Sequence, residues 1–200
     1  MPKRVDHDER RGAIAEALWR VVDELGWART TMREVARAAD VSLGQLQHYF
    51  STREEMLTFA RELASERAGE RVARALAALP QPADARDALA AGILEILPLH
   101  PDSRATSRLH TAFVLEALHD PRLREQAHVG LQDGRTRIEG IIRSAIADGA
   151  IPEDRDPVVE TDLLLALTGL APLIDLGVIT ADAARTAIDR HLDRLFAPQG

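Results

Sequence analysis

The sequence has no cysteine. This excludes a disulfide framework and any thiolate metal site, and it fits a reducing cytoplasm. Lysine is nearly absent: Lys3 is the single one, and the other cations are arginine. Aromatic residues make up 4% of the chain, and only Phe59, Phe113 and Phe196 lie beyond residue 50. There is no G-x-S-x-G, no glycine-rich phosphate loop and no H-E-x-x-H or H-x-x-x-H pair. His100, His110, His119 and His128 are nine or ten residues apart, so they do not stack as helical ligands. Glu153, Asp154 and Asp156 read as a solvated turn with a helix cap. No metal or cofactor is expected, and an enzyme is disfavoured. The N-terminus lacks the apolar core of a signal peptide. The most apolar run, Leu163 to Ile179, is interrupted by Pro172 and Asp175 and falls short of the roughly 20 residues of a membrane span.

What is present points to helices. The chain is 46% apolar over 200 residues, rich in alanine and leucine, with branched residues at helical spacings. An all-α fold of about nine helices is expected. The net charge of −7 is unevenly placed. Residues 1–61 carry ten basic and ten acidic side chains, and all the excess acid follows. A neutral N-terminal part can still present a local basic face to nucleic acid.

The segment Thr30–Met56 is the most informative. Thr31 is followed three residues on by Glu34, Ser42 by Gln45, and Ser51 by Glu54. Each is a capping-box pattern, in which hydroxyl and N3 side chain satisfy each other's backbone amides. Two very short helices, Met32–Ala39 and Leu43–Tyr49, then the start of a longer one at Arg53, are expected. Ala36 is small where helices must cross closely, Leu46 is an inward anchor, and Phe50 is core. A short turn between two short helices is the helix-turn-helix signature. Gly44 weakens its helix by about 1 kcal/mol relative to alanine, which makes sense if something large approaches the backbone there.

Upstream, Ile14, Leu18, Val21, Val22 and Leu25 form one face of a helix from about Asp8, stopped by Gly26, with Trp27 as a core plug. Downstream, helices are expected at Arg53–Leu79, Asp84–Leu97, Ser103–Leu118, Pro121–Asp148, Pro157–Leu176 and Ala181–Phe196. Proline and Asp caps at 120–121 and 156–157, and glycines at 149 and 177, punctuate them.

Thr30-Thr31-Met32-Arg33-Glu34-Val35-Ala36, Ala39-Asp40-Val41-Ser42 and His48-Tyr49-Phe50-Ser51-Thr52-Arg53-Glu54-Glu55-Met56 together resemble the TetR/AcrR family of transcriptional regulators. Asp40 stands where that family commonly has glycine, Gln47 where an aromatic is frequent, and Arg53 where lysine is frequent. Residues Ala112-Phe113, Asp120-Pro121, Gly149-Ala150-Ile151 and the run from Asp156 to Leu170 resemble its BetI-type C-terminal domain. The resemblance implies a DNA-binding domain over 1–54 and a ligand-binding and dimerisation domain over 55–200.

In a helix-turn-helix the second helix enters the major groove. Here it offers Ser42, Leu43, Gly44, Gln45, Gln47 and His48. Gln47 is the expected base reader, because Gln45 is engaged in its capping box. Thr31, His48, Tyr49 and Arg53 suit phosphate, although Tyr49 can be partly core and Arg53 can be a solvated charge. Lys3 and Arg4, on an N-terminal arm, can reach an adjacent phosphate or minor groove. The expected partners are a palindromic double-stranded operator, a second copy of the chain and a small-molecule effector that releases the DNA; no membrane is expected. The resemblance places the dimer interface on the last two helices, with Leu163, Leu167, Leu170, Ile174, Ala184, Ile188, Leu192 and Leu195. Candidate effector-pocket residues are Leu63, Leu97, His100, Arg104, Arg108, Leu109, His110, Phe113, His128, Leu131 and Thr168. They suit an apolar ligand carrying an acceptor or an acid, and the few aromatics disfavour a choline-like cation. The neutral head leaves open a ligand-binding or protein-interaction regulator with little DNA binding.

Overall fold

The computed structural model describes residues 2–197, with side chains from residue 7 onward. Among these residues there are ten helices and no strand. They are α1 (Pro2–Leu25), α2 (Met32–Ala38), α3 (Leu43–Tyr49), α4 (Arg53–Ala77) and α5 (Ala85–Ile96), then α6 (Pro101–Ala117), α7 (Pro121–Ala147), α8 (Pro157–Thr168), α9 (Ala171–Asp175) and α10 (Ala181–Phe196). The tenth arises because the expected helix Pro157–Leu176 is divided at Gly169 and Leu170. Pro172 has no amide to donate to Thr168, and its ring crowds that carbonyl. The first helix also begins earlier than expected, at Pro2. The side chains of Lys3 and Arg4 lie outside the described ones.

Backbone conformation ends α1 where the sequence predicts. Gly26 has φ of +81°, a left-handed value that other residues adopt only with strain. Its amide still bonds Val22 O at 2.9 Å, closing the last turn. The chain then folds back so that Trp27 is buried.

Two apolar cores divide the molecule. The first joins α1 (Ile14, Leu18, Val21, Val22), α2 (Val35, Ala36) and α3 (Leu46, with Phe50) to the first half of α4 (Met56, Leu57, Ala60). It extends into the body through Leu109, Phe113 and Ala117 of α6 and Ala127 of α7. The second gathers Leu89 and Ile93 of α5, Ile142 of α7, Leu164 of α8, and Ile188, Leu192 and Leu195 of α10. Helix α4 is therefore shared: its first half packs in the head's core, past residue 54, and its second half borders the body.

The second core corrects part of the expected interface. Ala184, Ile188 and Leu192 have no exposed surface, and Leu195 has 1%. They lie on one stripe of α10 turned towards α5 and α8. A side chain with no solvent access within the protomer cannot meet a second protomer. By contrast, Leu163 is 47% exposed and Val159 52%. The apolar tract Pro157–Asp175 is only 22% buried.

Candidate nucleic-acid interface and ligand cavity

The turn between α2 and α3 is built locally. Asp40 takes φ of +53°, the left-handed conformation that a short polar side chain tolerates. Val41 N then bonds Ala36 O at 3.0 Å. At the start of α3 the capping box is complete: Gln45 N donates to Ser42 Oγ at 3.1 Å, and Ser42 N donates to Gln45 Oε1 at 2.8 Å. The carboxamide oxygen of Gln45 is thus engaged. Leu46 and Phe50 are wholly buried, which turns Gln47 and His48 outward. A methyl group at Gly44 would meet nothing of this chain closer than Ser42 Oγ at 4.0 Å. Internal packing therefore does not require glycine there. Tyr49 is half-buried, its ring 5.5 Å from His48 and 4.9 Å from His7.

The other two caps differ from expectation. Thr31 accepts from Glu34 N at 3.2 Å, but its hydroxyl donates to the Glu34 carboxylate instead of leaving that group to bond the cap amide. The third box lies one residue later. Thr52, not Ser51, accepts from residue N3, here Glu55 N at 3.0 Å, and Ser51 N donates to the Glu55 carboxylate at 2.8 Å.

Arg53 is re-read by the geometry. Its Nε donates to Thr30 O at 2.6 Å and its Nη2 to Trp27 O at 2.7 Å. The guanidinium ties the start of α4 to the α1–α2 turn, so most of its donors face protein carbonyls instead of solvent. The cation that does border the recognition helix is Arg10. With Val41, Gly44, Gln45, His48 and Tyr49 it lines a cleft of about 310 Å³. Neighbouring Arg11 turns the other way and stacks over Phe50 and Phe59, at 4.7 and 4.3 Å from the ring centroids. Adjacent residues on a helix point about 100° apart, so one of this pair packs on the head's core and the other faces the recognition helix. Sequence reasoning missed Arg10, although its position before the apolar face of α1 was a signal.

Two clefts flank α4. The larger, about 650 Å³, lies between α1, α4 and α6 and is lined by Arg20, Arg67, Arg71, Arg74, Arg104 and Arg108 with Glu16, Asp23, Glu70 and Asp102. Ion pairs cross it. Arg67 meets Glu16 at 2.6 Å, and Arg108 meets Asp23 of α1 at 2.8 Å and Asp175 of α9 at 3.1 Å. The smaller, about 260 Å³, is enclosed by α4, α6, α7 and α8 with the start of α9, and is mostly apolar. Its chemistry, not its size, makes it the candidate ligand cavity, since ligand sites are apolar enclosures with a few polar groups.

Of the expected pocket residues, Leu109, His110, Leu131 and Thr168 line this cavity. The others do not. Leu97 is buried in the second core, and Leu63 packs against the first. Phe113 stacks on Trp27 at 5.6 Å, at the joint of head and body. His100 caps α6, its Nδ1 accepting from Ser103 N at 3.3 Å. Arg104 and Arg108 belong to the larger cleft, and His128 is exposed. Helical spacing groups residues on a face but does not say which face meets the cavity. The polar residues missed are Arg61, Ser65 and Arg71 of α4 and Thr106, Ser107 and Thr111 of α6. Arg61 and Arg71 interrupt the small-residue stripe of Ala64 and Ala68, which was the available signal. His110 keeps part of its surface exposed, but the helices packed round its ring desolvate it and, with the Arg61 charge, hold its pKa below the usual imidazole value.

Comparison with known proteins agrees with this architecture. Residues 14–60 match the family described as bacterial regulatory proteins, tetR family, and residues 85–197 match the BetI-type transcriptional repressor C-terminal domain. The HTH-type transcriptional regulator PksA of Bacillus subtilis is 30% identical over 198 residues, 98% of this chain and 94% of that one. A TetR transcriptional regulator from Chloroflexus aurantiacus superimposes with a TM-score of 0.78 at 24% identity, over 97% of this chain and 96% of that one. A transcriptional regulator from Saccharomonospora viridis, solved in complex with choline, gives 0.76 at 21% identity, over 94% and 95%. With a helix-turn-helix head and a BetI-type body on one chain, this protein belongs to the TetR family of transcriptional regulators and is not an enzyme.

Proposed function

We propose that two copies of this chain bind a palindromic operator as a repressor in the cytoplasm, and that a small molecule entering the α4–α6–α7–α8 cavity releases them. One observation carries this reading: Arg61 of α4 lines both that cavity and the cleft at the joint where Trp27, Arg53 and Phe113 meet. A ligand that touches Arg61 therefore acts on the helix that also holds the head.

In the complex, α3 lies in the major groove. Gln47 reads a base, with adenine as its natural bidentate partner. His48, Tyr49, Thr31 and Arg10 contact phosphate, Leu43 meets a thymine methyl, and Gly44 allows close approach. The N-terminal turn carrying Lys3 and Arg4 extends this contact. Pairing of protomers uses the exposed Val159 and Leu163 of α8, flanked by the half-buried Leu167, Leu170 and Ile174, in place of the buried stripe of α10. Choline, the ligand of the Saccharomonospora viridis protein, fits this cavity poorly: among the described residues its lining has no Phe, Tyr or Trp and carries two arginines.

The test is a gel shift with the DNA upstream of the chain's own gene at two salt concentrations, paired with light scattering. Affinity should fall steeply with salt, as expected where phosphate contacts release counterions. Gln47→Ala should relax sequence preference, and Leu163→Glu should give folded monomers that bind DNA weakly. Salt-independent binding, or unchanged preference in Gln47→Ala, contradicts the assignment.

A further inference from the structure

The cavity contains a charge that its surroundings do not fully satisfy. Arg71 of α4 is 8% exposed. Its Nη2 donates to Thr106 Oγ1 at 2.8 Å, but its buried Nε has no hydrogen-bond partner. Glu95 Oε2 stands 3.6 Å from that same Nε, an ion pair too long for a hydrogen bond, and is shared with His100 Nε2 at 3.2 Å. A buried donor left unsatisfied carries its full desolvation penalty, larger for a charged group. Arg61 adds a second guanidinium to the same wall, and no acidic side chain lines the cavity among the described residues. The remaining lining is mainly apolar, with Leu109 and Leu131 on facing helices.

Resting on the effector reading above, we propose that the ligand is an amphipathic monoanion, an alkyl carboxylate being the simplest form. Its carboxylate engages Arg71, and its hydrocarbon body fills the space towards α7 and α8. A carboxylate is the geometric complement of a guanidinium edge, accepting from Nε and a terminal nitrogen together. It would give Nε the hydrogen bond that Glu95, at 3.6 Å, does not make. Because Arg71 also lines the ion-paired cleft against α1, its recruitment bears on both faces of α4.

The experiment uses the full chain and a matched series: hexanoate, octanoate and decanoate, the primary alcohols of the same lengths, and alkyltrimethylammonium ions. Binding is read by titration calorimetry and operator release by gel shift. Carboxylates should bind and release the operator. The alcohols should be about ten- to hundred-fold weaker, the effect of one charge-assisted pair, and the ammonium ions should not bind. Arg71→Gln should bind acid and alcohol alike. Alcohols equal to acids, binding of the ammonium ions, or no carboxylate binding at millimolar concentration overturns the proposal. The comparison of acid with alcohol on the natural chain stands even if the variant does not fold. Failure to bind operator without additive would sink the parent reading. An operator-binding chain released by a cation would sink only this one.

Discussion

The two clefts beside α4 are made of opposite materials. The larger is a polar seam in which arginines of α4 and α6 meet acids of α1 and α9. The smaller is an apolar enclosure with two guanidiniums and a neutral-leaning imidazole in its wall. The first joins head to body through charges that remain partly exposed, so each pair contributes little to stability. In the proposed function the second receives the ligand, through excluded volume and one buried charge. The difference teaches that size is a poor guide to a ligand site. It also separates two jobs, coupling and binding, that share a single helix.

The comparison can be broken most forcefully at Leu109, which is 2% exposed and belongs to both the head's core and the cavity wall. Leu109→Ala should lower unfolding stability by about 2–5 kcal/mol, measured by urea denaturation. A loss below about 1 kcal/mol would mean that the cavity wall is not packed as described.

Next in size is Arg53→Gln. Losing its charged bonds to Thr30 O and Trp27 O should cost about 1.5–3 kcal/mol. It should weaken DNA binding by loosening the head, with the salt slope unchanged. Arg10→Ala should do the reverse, leaving stability nearly intact and reducing the slope by about one counterion. If Arg53→Gln shallows the salt slope instead, Arg53 is a phosphate ligand after all.

A smaller stability change is expected for Arg108→Ala, which removes half-exposed pairs with Asp23 and Asp175 worth about 0.2–1 kcal/mol each. Operator release by the effector should suffer more than folding does. Equal ligand-induced release in variant and parent would remove the polar seam from the coupling path.

The smallest effect is the pH response of His110. Its folded pKa lies below the unfolded value of about 6.5. The folded chain therefore binds that proton less readily than the unfolded chain. Stability from this group is complete above about pH 6.5 and falls as pH drops below it. His110→Gln should flatten that part of the profile in thermal melts between pH 7 and 5. His191, lowered by burial against the opposing charge of Glu160, shifts the same way, so some slope remains.

Much of the head was legible because its determinants are local. A cap such as Ser42–Gln45 acts across three residues, and the left-handed Asp40 is decided within one turn. Even there, the displacement of the third cap to Thr52–Glu55 could not be read, since Ser51 and Thr52 are adjacent hydroxyls with carboxylates at the right spacing for either. The body was legible as helices, but its functions were assigned to the wrong faces in several places. The α10 stripe of Ala184, Ile188 and Leu192 has the same periodicity whether it packs on α5 and α8 or on another protomer. His100 and His110 have the same spacing whether they cap a helix or line a cavity.

By itself, then, the sequence determined the all-α class, the helix-turn-helix unit, most helix boundaries and the outward placement of Gln47 and His48. Those follow from hydrogen bonds and steric limits that act over a few residues. Only the tertiary structure decided that Arg53 holds the α1–α2 turn, that Arg10 and not Arg11 borders the recognition helix, and that Arg71 stands buried with an unmatched Nε. Each depends on which element lies across from a side chain, tens of residues away in sequence. Local periodicity is blind to that distance.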